Sequence, residues 1–161
     1  MQKLSTKKIT VIGITAALYA ALTIGLAPIS YGAVQLRLSE VMTLLAFINP
    51  VFIPGLILGN FIANLFSPFG LPDVIFGTIA TAIAVYMMSR SKSMLRSTFW
   101  PVAVNGLIIG LELMLFAGAP FLVTAFYVAL GQFITVTLIG YPVIKMIIRN
   151  QTIDKLMHVS S

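Results

Sequence analysis

The sequence predicts an all-α integral membrane protein, a single membrane domain over residues 1–161 folded as a compact bundle of six transmembrane helices. Hydrophobic residues make up 59% of the chain and charged residues only 9%, whereas a soluble domain has about 45–50% apolar and about 25% charged residues. The mean hydropathy of +1.04 agrees with this class. The third observation is the position of the basic residues, which fall in three groups between long apolar blocks and indicate the number of spans.

The individual helices are predicted from the apolar blocks and from the turns that interrupt them. The first block can cross a bilayer core of about 30 Å at 1.5 Å per residue, and it exceeds the about 7–15 apolar residues of a signal peptide. The second block holds Asn49, Pro50, Pro54 and Gly55, which favour a turn, so we expect two short helices there. The six predicted helices cover roughly 9–28, 39–49, 51–66, 73–89, 99–118 and 120–148.

The basic residues predict the orientation of these spans. Nine of the ten lysines and arginines form three groups, within residues 3–8, 90–96 and 145–155. The positive-inside rule places all three groups in the cytoplasm. An even number of spans must then separate the first group from the second, which requires the split of the second apolar block. We expect a multi-pass protein of the cell membrane, surrounded by lipid, with both termini in the cytoplasm.

Four charged residues then fall on the outer side of the membrane, namely Arg37, Glu40, Asp73 and Glu112. Charges in or near a membrane are costly and usually face a cavity or a partner. An outward-facing polar pocket is the simplest common explanation for all four. Glu112 would accept hydrogen bonds from a ligand there, and Arg37 and Glu40 would line the mouth of the pocket.

Each of these four residues also has a structural interpretation. Glu112 can form a buried ion pair with Arg37, the only basic residue expected on that side. Arg37 and Glu40 are three residues apart and can pair locally to order the first outer loop. Asp73 follows Pro72, and this combination is common where helices begin. The sequence alone leaves both interpretations open.

Neutral polar and aromatic side chains supply further candidates. Gln132, in the middle of the sixth span, can serve either helix packing or ligand contact. Tyr127, nearer the outer end, can stack on a planar ligand or belong to the interfacial aromatic belt. Asn60, Asn64 and Asn105 are expected to form hydrogen bonds between helices.

The first span carries small residues at intervals of four. Gly13, Ala17 and Ala21 form one row, and Ala16 and Ala20 form another. Small residues at this spacing allow helices to approach closely. The rows therefore indicate either packing within the bundle or a docking face for another membrane protein.

Several function classes are excluded by what the chain lacks. It has no cysteine and a single histidine, His158, in the polar tail, so thiolate or histidine metal sites in the membrane are excluded. It has no G-x-x-x-x-G-K-[ST] phosphate loop, so the chain does not itself hydrolyse ATP. We expect no enzymatic activity, no metal and no cofactor. The net charge of +6 is explained by topology and not by nucleic-acid binding.

Two segments, "LAPISYGAVQLRLSE" and "NLFSPFGLPDVIFGT", resemble the QueT family, and the resemblance spans roughly residues 9–148. Members of this family are substrate-binding S components of energy-coupling factor (ECF) transporters. The resemblance implies that the chain captures a micronutrient from outside and docks on an EcfT-type membrane coupling protein driven by two cytoplasmic ECF ATPases. It also implies that the alanines of the first span meet EcfT and that the cargo is a queuosine precursor, chiefly the deazapurine 7-aminomethyl-7-deazaguanine.

The resemblance places the ligand between the first outer loop and the outer halves of spans four to six. The residues with that placement are Arg37, Glu40, Asp73, Glu112, Tyr127 and Gln132. Two carboxylates on one side of the bilayer suit a cationic deazapurine better than an anionic vitamin. The alternatives are an S component for a different vitamin or nucleobase-like micronutrient, and a self-contained secondary transporter. No internal repeat of the kind common in secondary transporters is visible.

Overall fold

The computed structural model describes residues 5–32 and 34–150, and within these ranges every regular element is a helix. The helices are α1 Thr6–Gly25, α2 Ala27–Ser30, α3 Leu38–Ile48, α4 Pro50–Asn64, α5 Asp73–Ser89, α6 Met94–Ala117 and α7 Phe121–Ile148. Length and composition allow α1, α6 and α7 to cross a membrane. The chain is therefore an all-helical, multi-pass membrane protein. The predicted count of six crossings depends on α3, α4 and α5, which are apolar but shorter.

Some residues used in the topology prediction lie outside the described ranges. These are Lys3 and Lys155; His158, the single histidine, also lies outside them.

The second apolar block is divided at Asn49. Asn49 has an extended backbone with φ −151° and ψ 122°, and its side chain accepts a hydrogen bond from Val51 N at 3.0 Å. Pro50 is the first residue of α4. A proline disfavours the helical conformation in the residue before it. The chain therefore ends α3 at Ile48 and begins α4 two residues later.

Four helices contain turns that are not α-helical, among them α4, whose first turn Pro50–Phe52 is 3-10 helical. The first part of α3, Leu38–Leu44, is a 3-10 helix. The first turn of α5, Asp73–Gly77, and the middle of α7, Phe133–Gly140, are π-helical. π-Helical turns are rare and occur frequently at functional sites. Both of them carry or adjoin residues that the sequence singled out, Asp73 and Gln132.

Helix α1 packs closely against α4 because α4 carries two glycines at the contact. A Cβ atom added at Gly55 would lie 2.7 Å from Ile12 O, and one at Gly59 would lie 2.8 Å from Ala16 O. Side chains are therefore excluded at both positions, and the two backbones approach directly. Ala16 and Ala20 are buried, at 3% and 6% exposure.

Helix α6 packs against α7 in the same way. A Cβ atom at Gly110 would lie 2.8 Å from the Cβ of Ala125, and one at Gly106 would lie 3.0 Å from the Cβ of Ala129. Gly118 ends α6 in the left-handed region at φ 65°, a conformation that glycine adopts at no steric cost.

The distribution of side chains is that of a protein in a lipid solvent. Large apolar residues such as Leu107, Leu122 and Phe126 are exposed on the outside of the bundle. Glu40, Asp73 and Glu112 are instead buried inside it. Because hydrocarbon solvates apolar groups and not charges, this arrangement suits a lipid solvent.

Candidate functional site

The structure brings together the four charged residues predicted for the outer side, and we call them the charged cluster: Arg37, Glu40, Asp73 and Glu112. Glu40 and Asp73 act electrostatically on Arg37, and Asp73 and Arg37 act on Glu112. All four are buried. They come from the loop before α3, from α3, from α5 and from α6, so the cluster forms only when the bundle has assembled.

Arg37 is the only cation in the cluster. Its guanidinium lies 5.2 Å from the ring centroid of Tyr31, within the range of a cation–π contact. The carboxamide of Asn60, with its oxygen facing the guanidinium, accepts a hydrogen bond from Arg37 Nη1 at 3.1 Å. The Tyr31 hydroxyl donates to Ala63 O at 2.6 Å. Burial raises the pKa of Tyr31, so the phenol remains a neutral donor and holds the loop against α4.

Glu40 is fixed by a residue of α1. The hydroxyl of Tyr19 donates to Glu40 Oε1 at 2.5 Å, and both side chains are almost fully buried. The Asn60 carboxamide lies 3.1 Å from the same Tyr19 hydroxyl. Through this chain of contacts Tyr19 joins α1, α3 and α4. A buried carboxylate that accepts a hydrogen bond of this kind is oriented as well as stabilised.

Asp73 is fixed by the segment that precedes α5. The Ser67 hydroxyl donates to Asp73 Oδ2, and Asn64 Nδ2 donates to the Asp73 carbonyl oxygen at 2.9 Å. Asp73 thus begins its helix, as the structural interpretation expects, and it also belongs to the charged cluster. The two interpretations of this residue are compatible.

Glu112 differs from the other two acids because the side chain within hydrogen-bonding range of it is another carboxyl group, that of Asp73, and not a hydroxyl, amide or cationic donor. Neither of its oxygens accepts a hydrogen bond within the described part of the chain, and the side chain is 0% exposed. A buried carboxylate without donors is costly, and the neighbouring Asp73 adds like-charge repulsion. Arg37 is the one cation that acts on Glu112. An incoming group with N–H donors would relieve this cost.

Gln132 lies next to the loop that carries Arg37. A Cβ atom at the preceding Gly131 would lie 1.9 Å from Val34 O, so the loop rests directly on α7 at a point where only glycine fits. Gln132 is buried, and its Oε1 has no hydrogen-bond partner among the described residues. The hydroxyl oxygens of Thr135 and Thr137, in the π-helical turn that follows, are equally unpartnered there.

Tyr127 is placed on the outside of the bundle. It is 43% exposed, and its ring contacts Phe126 edge to face at a centroid distance of 6.0 Å. This position resembles that of an interfacial aromatic residue more than that of a pocket residue. Stacking of Tyr127 on a ligand stays an untested prediction.

The three asparagines behave differently from one another. Asn60 and Asn64 contact other helices, as expected. The prediction for Asn105 is wrong, because its Nδ2 donates to Pro101 O of the same helix at 3.1 Å. An asparagine side chain within a helix can reach the carbonyl oxygen one turn earlier on the same helix.

The two small-residue rows of α1 point in different directions. Ala16 and Ala20 are buried inside the bundle, whereas Gly13, Ala17 and Ala21 are exposed beside Ile14 and Leu18. Only the exposed row of Gly13, Ala17 and Ala21 is free to meet another protein in this conformation of the chain.

Sequence reasoning missed Tyr19, Tyr31 and Ser67 as parts of the site. Each is the donor that anchors a cluster residue or its loop. Tyr19 could have been identified from the sequence, because it places a hydroxyl group within an aliphatic span. A buried tyrosine hydroxyl usually has a hydrogen-bond partner, which predicts a polar contact at this position.

The charged cluster can bind a cationic or donor-rich molecule. Its three carboxylates and one guanidinium carry a net charge of −2 when all are ionised. In the described ranges, no group of three or more metal-ligating side chains could hold a metal ion. The ionised groups of the charged cluster can form charge-assisted hydrogen bonds to a bound molecule.

Comparisons with known proteins identify the family. The family model described as QueT transporter matches residues 9–149. The "Queuosine precursor transporter QueT" of Lactococcus lactis subsp. cremoris (strain MG1363) is 37% identical over 149 residues, covering 83% of this chain and 88% of that protein. No solved structure matches the chain. The match over most of the sequence confirms the resemblance drawn from its two motifs, and the chain belongs to the QueT transporter family.

Proposed function

We propose that this chain is the substrate-binding S component of an ECF transporter and imports a queuosine precursor such as 7-aminomethyl-7-deazaguanine. The name of the Lactococcus relative supports the substrate class. The observation that carries the proposal is the Glu112 carboxylate, buried without donors beside Asp73 and Arg37. A site with this vacant acceptor suits a ligand that brings donors.

The ligand and the charged cluster are chemically complementary. A deazaguanine edge presents two adjacent N–H donors, which the two oxygens of Glu112 can accept together. The aminomethyl group carries a positive charge that Asp73 or Glu40 can balance. Gln132, with its free Oε1, is a further acceptor on the opposite helix. An anionic vitamin would meet net negative charge at the same place and is disfavoured.

Two further elements belong to the proposal. The bundle crosses the membrane six times with both termini in the cytoplasm, so the charged cluster faces outward. ATP is hydrolysed by separate ECF ATPases, which act through an EcfT-type protein docked on α1. The exposed row of Gly13, Ala17 and Ala21 is the face available for that contact.

The docking element is tested with two matched double variants. Ala17→Leu with Ala21→Leu adds bulk on the exposed row and should abolish uptake while ligand binding by the purified protein is kept. Ala16→Leu with Ala20→Leu adds the same bulk against α4 and should lower the melting temperature, because overpacking costs about 1–3 kcal/mol. Normal uptake by the first variant would move the docking face elsewhere.

The substrate is tested by identifying the small molecule that co-purifies with the protein, using mass spectrometry, followed by calorimetry with 7-aminomethyl-7-deazaguanine. Tight binding of this compound, and weaker binding of guanine, which lacks the ammonium group, are expected. Measuring uptake in cells that lack the ECF ATPases distinguishes an S component from a self-contained secondary transporter. Transport there would identify a self-contained secondary transporter and would contradict the S-component role.

A further inference from the structure

A second feature of the molecule lies at the end of α5 and the start of α6, opposite the charged cluster. A surface groove of about 650 Å³ opens there, and we call it the basic groove. Its cationic residues are Arg90, Lys92 and Arg96, and its apolar wall includes Phe99 and Trp100. All five of these side chains are exposed.

The cations of the basic groove are not neutralised by carboxylates of the bundle. The three acidic residues that the structure describes are Glu40, Asp73 and Glu112. Asp73 begins α5 and Glu112 lies near the end of α6, so these acids are at the far ends of the two helices that form the groove. The guanidinium of Arg90 lies over the ring of Tyr86 at 5.4 Å. The groove therefore presents positive charge and donors to an anion from outside the chain.

An apolar groove continues from this site along the surface between α6 and α7. It has a volume of about 470 Å³ and shares Phe99 and Ala103 with the basic groove. Beyond them it is lined by Gly106, Leu107 and Ala129, with no charged residue in its lining. From Phe99 to Leu107 the helix rises roughly 12 Å at 1.5 Å per residue. A narrow apolar channel of that length matches a stretch of lipid acyl chain.

We propose that the two grooves together bind one anionic phospholipid, with its phosphate among Arg90, Lys92 and Arg96 and one acyl chain between α6 and α7. Charge complementarity selects an anionic headgroup over a zwitterionic one, because basic pockets beside membrane helices attract anionic lipids. Ala103 is small and exposed, so the groove is open at the junction where the acyl chain would enter. A soluble anion would occupy only the basic groove and would leave the apolar groove empty.

Trp100 makes the site directly observable. It is the only tryptophan of the chain, it lines the basic groove, and its Nε1 donates to Ser91 Oγ at 3.0 Å. The experiment reconstitutes the full chain in phosphatidylcholine and adds increasing fractions of phosphatidylglycerol with brominated acyl chains, which quench tryptophan fluorescence on contact. Brominated phosphatidylcholine provides the reference for contact without selection.

Half-maximal quenching is expected at a phosphatidylglycerol fraction at least about tenfold below that of brominated phosphatidylcholine. Arg90→Gln, Lys92→Gln and Arg96→Gln combined should abolish this preference, since each basic residue near an anionic surface contributes about a factor of five. The matched control, Lys7→Gln, Lys8→Gln and Lys145→Gln combined, removes the same charge elsewhere and should keep the preference. A variant Ala103→Phe fills the junction of the grooves and should reduce quenching by both lipids.

The wild-type protein alone can also decide the question if the triple variant does not fold. Raising the salt from 0.1 to 1 M, which shortens the Debye length from about 10 to about 3 Å, should weaken the phosphatidylglycerol preference. Equal quenching by the two lipids overturns the proposal and leaves the groove to a protein partner. Displacement of the lipid by soluble glycerol phosphate at matched concentration overturns it in favour of a free phosphate site. An equal loss of preference in the control triple overturns it in favour of general surface charge.

Discussion

The two ends of the bundle carry charge in opposite ways. At one end Arg37, Glu40 and Asp73 are buried and oriented by hydrogen bonds: Arg37 donates to Asn60, Glu40 accepts from Tyr19, and Asp73 accepts from Ser67. At the other end Arg90 and Arg96 are exposed. Loss of a partner inside the bundle leaves a charge stranded in low dielectric, whereas loss of an exposed charge is compensated by water or lipid headgroups. Substitutions at the first end should therefore have large effects on ligand affinity or on stability, whereas charge substitutions at the second end should have small effects on stability.

The largest effect is expected for Glu112→Gln. One carboxylate oxygen becomes an N–H donor that faces the donors of the ligand, while a charge-assisted bond is lost. Bonds to charged groups contribute about 1.5–3 kcal/mol and stranded partners cost more, so calorimetry should show an affinity for 7-aminomethyl-7-deazaguanine that is lower by about a hundredfold or more.

The same variant separates recognition from structure. Folding should be little changed, because Glu112 has no donors to lose and a neutral side chain is easier to bury. Asn105→Ala, two turns away on the same helix face, is the control and should bind normally, since Asn105 bonds to its own helix. Near-native affinity together with a lower melting temperature in Glu112→Gln would assign Glu112 to an ion pair with Arg37.

The next largest effect is expected for Tyr19→Phe. The substitution removes the hydroxyl that donates to Glu40 and leaves a buried carboxylate oxygen without that donor. The free energy of unfolding should fall by about 1–3 kcal/mol. A domain of this size loses about 2–4 °C of melting temperature per kcal/mol. Tyr86→Phe is the matched control at the opposite end, where the ring is 54% exposed and only its face is used by Arg90. Equal losses for the two tyrosines would refute the contrast between the ends.

The smallest effect is expected for Arg90→Gln combined with Arg96→Gln. Exposed charges away from special features usually change stability by no more than about 0.5 kcal/mol. In a neutral detergent, where no anionic lipid is present, the melting temperature of this variant should match that of the parent protein within about 2 °C. A large loss there would show that the basic end is held together by interactions as strong as those around Arg37.

The charged cluster could be anticipated from the sequence only in part. Arg37, Glu40, Asp73 and Glu112 were identified by their distance from the three basic groups, and they meet in the folded bundle. The donors around them were not identified, because Tyr19 is 21 residues from Glu40 along the chain. No local pattern relates two residues that far apart. The same limit applies to α1, where both small-residue rows have equal spacing but only Ala16 and Ala20 are buried.

The sequence by itself determined the class of the protein, its helical content and the break between α3 and α4. These properties follow from local chemistry, namely the hydropathy of about twenty residues at a time and the backbone restrictions that Pro50 imposes on Asn49. Only the tertiary structure decided how each helix is rotated, and therefore which polar atoms meet. Gly55 and Gly59 of α4 set the approach of α1, and that approach brings Tyr19 to Glu40. Gly131 sets the approach of the Arg37 loop to α7 beside Gln132. These contacts depend on shape complementarity between distant segments, which no single segment encodes.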